Sequence, residues 1–81
     1  MTLDTLKNAN RVIGIKQVTK AVKRGNVQNV FVADNADDRV IKPLETLCRE
    51  YEVPVGRVET MQELGQACGI EVGAAAAAVL K

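Results

Sequence analysis

Five consecutive alanines, Ala74–Ala78, stand near the end of this chain, and the architecture turns on what they become. Intrinsic propensity favours a helix, because alanine gives up no side-chain freedom there. The preceding segments argue the other way. They alternate strand, helix, strand, helix, and an α/β sandwich built that way needs one more strand. Alanines in a central strand would let helices approach closely on both faces. The residue pattern alone leaves the two outcomes balanced.

That alternation is read segment by segment. Asp4–Asn10 fits a short first helix, with Leu3, Leu6 and Ala9 at near-helical spacing and Thr2 as its N-cap. Arg11–Gly14 is a very short strand ending in glycine. From Ile15 to Arg24, Ile15, Val18, Ala21 and Val22 fall on one side at helical spacing, and Lys16, Lys20, Lys23 and Arg24 on the other. Gly25-Asn26 ends that helix, glycine suiting the left-handed position that follows.

Asn29–Ala33 is a continuous run of strand formers, as expected of a strand covered on both faces. Asp34–Asp38 is an acidic turn. Val40, Ile41, Leu44, Leu47, Cys48 and Tyr51 again have helical spacing. Proline is tolerated at a helix's first position but not in its interior, so the regular helix is expected to begin near Pro43 after an irregular turn. Val53–Val58 is a second β segment. Thr60 caps a short helix through Ala67, and Thr60-x-x-Glu63 matches a capping box.

Length and composition exclude several functions. With 81 residues the chain is expected to form one domain, residues 1–81, too small for a deep enclosed active site. Phe31 and Tyr51 are its only aromatics, which argues against modules that stack several bases on rings. There is no histidine, so histidine-based catalysis is excluded, and two cysteines cannot close a four-ligand zinc site. No signal peptide is expected, and no apolar stretch approaches the ~20 residues that span a bilayer. A reducing, cytoplasmic setting with free thiols follows as the expectation.

Charge is unevenly placed. Residues 1–33 carry a balance of +5 and residues 34–81 a balance of −4. Lys16 and Lys20 sit in the first turns of the Ile15–Arg24 helix, where the positive end of the macrodipole disfavours cations. A bound anion would relieve that cost. A glycine before the helix, its free amides and nearby lysines make a phosphate site. Gln17 adds an amide that can both donate and accept toward a base edge. Before the alanines, Gly69-Ile70-Glu71-Val72-Gly73 frames two stiff β-branched residues between glycines, which suits a loop that presents apolar tips to a ligand. The acidic turn at Asp34, Asp37 and Asp38 lacks the spacing of a calcium loop and suits helix capping better. Cys68 has no histidine to activate it, and a buried thiol is the expectation.

Two segments roughly fifty residues apart carry a resemblance. Gly14-Ile15-Lys16-Gln17-Val18-Thr19-Lys20-Ala21, and Leu64-Gly65-Gln66-Ala67-Cys68-Gly69-Ile70-Glu71-Val72, resemble the kink-turn-binding ribosomal protein family of the L-seven-Ae type, most closely its short bacterial paralogues. The likeness runs from about Lys7 to Leu80, and the Arg24-Gly25 helix end and the Leu47-Cys48 pair also fit. It implies a three-layer α/β/α sandwich with a four-stranded mixed sheet, the alanines forming its last strand. It also implies a ligand: RNA with a kink-turn, a bulge next to tandem sheared G·A pairs.

By that resemblance Gly14, Ile15, Lys16, Gln17 and Lys20 enter the RNA groove. Ile70, Glu71 and Val72 shield a base flipped from the bulge, and Asp37 falls near an acidic residue of its pocket. Three positions depart from the pattern. Gln17 stands where a glutamate is usual, and its neutral carbonyl makes a weaker bond. Met61 stands where some members have a lysine, and Gly73 replaces a frequent proline, which loosens the loop. The expectation is an RNA-binding monomer with no cofactor, no membrane and no catalysis, the ribosome being one setting for it. The alternative is a protein-interaction domain of the same fold, its basic helix meeting an acidic partner and Ile70 and Val72 serving as an apolar anchor.

Overall fold

The computed structural model describes residues 10–81. Along that stretch the order is β1 (Arg11–Ile13), α1 (Ile15–Arg24), β2 (Val27–Ala33), α2 (Asp38–Glu50), β3 (Val55–Val58), α3 (Met61–Ala67) and β4 (Ala76–Leu80). The helix expected at Asp4–Asn10 lies outside the described residues, apart from Asn10, which is irregular.

The last three alanines, Ala76–Ala78, form a strand with Val79 and Leu80. β4 occupies the centre of a four-stranded sheet of order β1-β4-β2-β3, antiparallel to both β1 and β2, while β2 and β3 are parallel. Ala76, Ala77 and Ala78 are fully buried. Helix α1 packs on β4 from one side and α3 reaches it from the other. Methyl groups on both faces leave room for that approach. Tertiary packing overrides the helical preference of alanine here, since an isolated run this short forms no stable helix.

Because β4 runs against its neighbours, β1, β2 and β3 all point the same way. The connections β1–α1–β2 and β2–α2–β3 join parallel strands, and right-handed crossovers place α1 and α2 on one face, where they pack on each other. Helix α3 covers the opposite face against β2, β3 and β4. The result is an α/β/α sandwich with a mixed sheet. Val18 and Val22 of α1, Ile41, Leu44 and Cys48 of α2 and Leu64 of α3 are buried in one core with Val30 and Val32 of β2. The spacing of these apolar positions is the one read from the sequence. β2 is buried along nearly its whole length, as its unbroken apolar run requires.

Three element starts differ from expectation, and one of them is β3, which begins at Val55 and not at Val53. β2 begins two residues earlier than the apolar run, at Val27. Helix α2 begins at Asp38, five residues before Pro43, which stands inside it. Proline there removes one backbone donor, the one that would reach Arg39. Pro43 and Arg39 are both exposed, so water can serve that carbonyl. Asp37 compensates at the start, its side chain accepting from the Arg39 amide at 2.9 Å.

Candidate functional site

The topology gathers three helix starts at one end of the sheet. β1, β2 and β3 run in one direction and each leads into a helix, so the N-termini of α1, α2 and α3 emerge along the same edge. The segment that enters β4 arrives there too. Three positive dipole ends therefore share this edge.

Two of the three are closed by side chains. Asp37 caps α2, and Arg39 donates to both oxygens of its carboxylate, which holds the Asp37 carboxyl below its usual range. Thr60 Oγ1 accepts from the Glu63 amide at 3.0 Å, as the capping box predicts. Asn35 Oδ1, from the acidic turn, accepts from the Met61 amide at 2.8 Å. Helix α1 is different. Its N-cap is Gly14, which has no side chain to offer, and its first turn holds no acid. The Val18 amide bonds the Gly14 carbonyl at 3.0 Å, so the amides before it are the open donors of the helix start.

Gly14 has φ 101°, a left-handed backbone that strains any other residue. Its amide donates to the Ala76 carbonyl at 2.8 Å, tying the start of α1 to the start of β4. Lys16, Gln17 and Lys20 are exposed, and neither lysine forms an ion pair among the described residues. Ile15 is half-buried and packs against the core beneath them. Downstream, Lys23 and Arg24 lie in the last turn, where cations suit the dipole, and Gly25 closes the helix at φ 75°.

The Gly69–Gly73 loop doubles back along α3. Ile70 N–H donates to the Gly65 carbonyl and Ala74 N–H to the Met61 carbonyl, both at 3.0 Å. Gly65 is buried with the Val72 carbonyl directly against it, and Gly73 sits against Met61. Ile70 is half-buried on the core, whereas Glu71 is exposed and Val72 is 70% exposed. The expected apolar tips thus separate. Ile70 anchors the loop and Val72 is presented outward.

The structure brings Gly14–Lys20 and the loop together through the start of β4. Asp37 lies at the same edge, but its carboxylate is already engaged as cap and ion pair. Asp34 of the same turn is likewise engaged, pairing with Arg57 at 2.7 Å. Among the described residues no cluster of acids and cysteines could hold a metal ion. Burial pushes the Cys68 thiol up, and nearby Arg11 only partly opposes that, so the sulfur stays protonated and is a poor nucleophile.

Residues that the motifs do not name also build the site. Asn35 orders the first residue of α3. Arg11 Nη2 donates to the Cys68 carbonyl at 2.6 Å, from β1 to the root of the loop. A basic residue two positions from the apolar Ile13, hence on the same face of a strand, is the signal that marks Arg11.

The profile described as the Ribosomal protein L7Ae/L30e/S12e/Gadd45 family matches residues 2–81. The chain is 46% identical over 70 residues to the RNA-binding protein YbxF of Geobacillus stearothermophilus, covering 86% of this chain and 85% of that one. It is 46% identical over 68 residues to the large ribosomal subunit protein eL8 of Halobacterium salinarum, covering 83% of this chain and 57% of that one. In fold it resembles the Giardia lamblia 15.5kD RNA binding protein, with a TM-score of 0.89 at 27% identity, over 98% of this chain and 70% of that one.

Proposed function

The chain belongs to the L7Ae/L30e/S12e/Gadd45 family of ribosomal proteins, and on that premise we propose that it binds structured RNA and holds it in a kinked form. One observation carries the reading. Among the described residues, the start of α1 is the helix start at the shared edge that lacks a side-chain cap, and Lys16 and Lys20, which form no ion pair there, flank it. Phosphate or base-edge acceptors would complete it.

The ligand is a kink-turn, with Gly14, Ile15, Lys16, Gln17 and Lys20 at the tandem G·A pairs. Glu71 and Val72 meet the bulge, supported by Ile70, and Asp37 borders the same edge. A-form RNA hides its base edges in a narrow groove, so a protein reads it where pairing is non-standard or broken. A bent RNA also crowds its phosphates, and the basic face of α1 offsets that repulsion. No chemistry is performed. Binding the bent form alone shifts the RNA toward it by the differential affinity.

The names of relatives support the RNA, since YbxF and the Giardia protein both carry RNA-binding in theirs. The test is a gel shift with a kink-turn and with the same RNA after its G·A pairs are made Watson–Crick. Preference for the first is expected, and equal binding to both refutes kink-turn recognition. Nuclease treatment of a pull-down separates the alternative. Partners that survive it point to a protein-interaction domain of the same fold that binds an acidic partner without RNA.

A further inference from the structure

Arg11 lies outside the segments that present groups to the ligand, yet it touches the root of one of them. Its Nη2 donates to the carbonyl of Cys68, the C-cap of α3, at 2.6 Å. The same nitrogen lies 3.9 Å from where a Cβ on Gly69 would sit. Arg11 is half-buried, and its Nε is shut off from solvent without a hydrogen-bond partner among the described residues. A guanidinium placed there leaves one donor unsatisfied, a cost that the Cys68 bond must outweigh.

The local need is plain. Helix α3 has no basic residue in its last turn. Its final carbonyls are the negative end of a dipole, and a cation brought from β1 meets them. Gly69, immediately after, has φ 80°, so the chain reverses there into the contact loop. Three residues beyond Arg11, Gly14 starts α1 and bonds Ala76. Arg11 thus sits on the strand that leads to one contact segment and grips the base of the other.

We propose that Arg11 is a positioning residue of the RNA interface, fixing the Gly69–Gly73 loop in register with the start of α1. This rests on the RNA-binding reading above. Arg11 touches no ligand itself, and its contribution comes from holding the loop in place before RNA arrives. Preorganisation of that kind lowers the ordering cost of binding and shows mainly in the dissociation rate.

The test compares Arg11→Gln and Arg11→Lys with the unaltered protein, using a kink-turn RNA as probe and amide hydrogen exchange on the free protein. Arg11→Gln is expected to raise exchange at Gly69–Glu71 and to weaken RNA binding roughly tenfold through faster dissociation. Its slope of log affinity against log salt should stay unchanged, because no phosphate contact is lost. Arg11→Lys keeps a cation and a donor at the carbonyl and should restore most of the affinity. Thermal melting confirms that each variant is folded at the assay temperature. A shallower salt slope in Arg11→Gln overturns the proposal in favour of direct phosphate contact. Unchanged loop exchange overturns it outright, as does unaltered affinity in a variant whose loop exchanges faster. Should the unaltered protein ignore the kink-turn, the functional reading fails, while the exchange measurement still decides whether Arg11 holds the loop.

Discussion

The carbonyl oxygen of Val72 rests against the Cα of Gly65, and no side chain fits between them. A Cβ on Gly65 would collide with that oxygen and crowd the Cα of Gly73. Gly65 is helical, so its role is close approach and not unusual backbone geometry. The Gly69–Gly73 loop lies on α3 only because this helix surface is bare. Gly65→Ala should therefore push the loop away from α3 or strain both. Overpacking of this kind costs about 1–3 kcal/mol, read as a lower denaturation midpoint. RNA affinity should also fall at a temperature where the variant is fully folded. A variant with the stability and affinity of the parent contradicts the packing described.

The start of α3 is held by two side chains from different segments. Thr60 serves the Glu63 amide and Asn35 serves the Met61 amide. Thr60→Ala and Asn35→Ala should each cost about 1 kcal/mol, the usual worth of a helix cap. The two differ in reach. The Met61 carbonyl accepts from the Ala74 amide, so Asn35 also steadies the entry to β4. Asn35→Ala should raise hydrogen exchange at Ala74 more than Thr60→Ala does, and equal effects would show that Asn35 acts on the helix alone.

How the sequence foretold this arrangement depends on the range of the interaction involved. Helix α1 was legible to the residue, because amphipathic spacing, a leading Gly14 and a closing Gly25 all act locally. Thr60 was legible as a cap for the same reason. Pro43 misled, because local sterics say that a helix should start there, whereas Asp37 supplies a stronger start upstream. The alanine run was undecidable locally, since its fate depends on helices packing from both faces of the sheet. The motif residues Lys16, Gln17, Lys20 and Val72 are exposed. Ile70 instead turned inward to the core, a distinction that two β-branched residues around one glutamate could not reveal. Arg11 and Asn35 act across 57 and 26 residues of chain and left almost no local trace.

Both cysteines are buried and free, one in α2 and one at the end of α3. Burial pushes each thiol up from its ordinary value, with Glu45 adding to the effect at Cys48. The native protein should therefore resist iodoacetamide at neutral pH and react promptly in urea. The linkage has a definite sign. Folded thiols ionise at higher pH than unfolded ones, so their contribution is fully present below the unfolded value and is lost as pH rises through the folded one. Urea midpoints should fall on the alkaline side, and Cys48→Ala with Cys68→Ala should flatten that fall. Fast alkylation of the native protein would contradict the burial of both sulfurs.

Lys16 and Lys20 lie about 6 Å apart along the axis of α1, one turn from each other, and Lys23 lies roughly another 4–5 Å on. That gradient predicts different losses. If Lys20 meets a base edge, Lys20→Ala should weaken binding by about 1–3 kcal/mol and do so less against RNA whose G·A pairs are changed. A lysine that only neutralises phosphate carries no such preference. Its removal should weaken all RNAs alike and lower the salt slope by about 0.7–0.9. Lys23, in the last turn beyond the open amides, should follow the second pattern or show no effect. Titrating each variant with both RNAs at several salt concentrations separates the cases. If Lys20→Ala binds like the parent throughout, the start of α1 does not face the RNA as proposed. If Lys23→Ala alone loses the preference, the RNA is read from the opposite end of the helix.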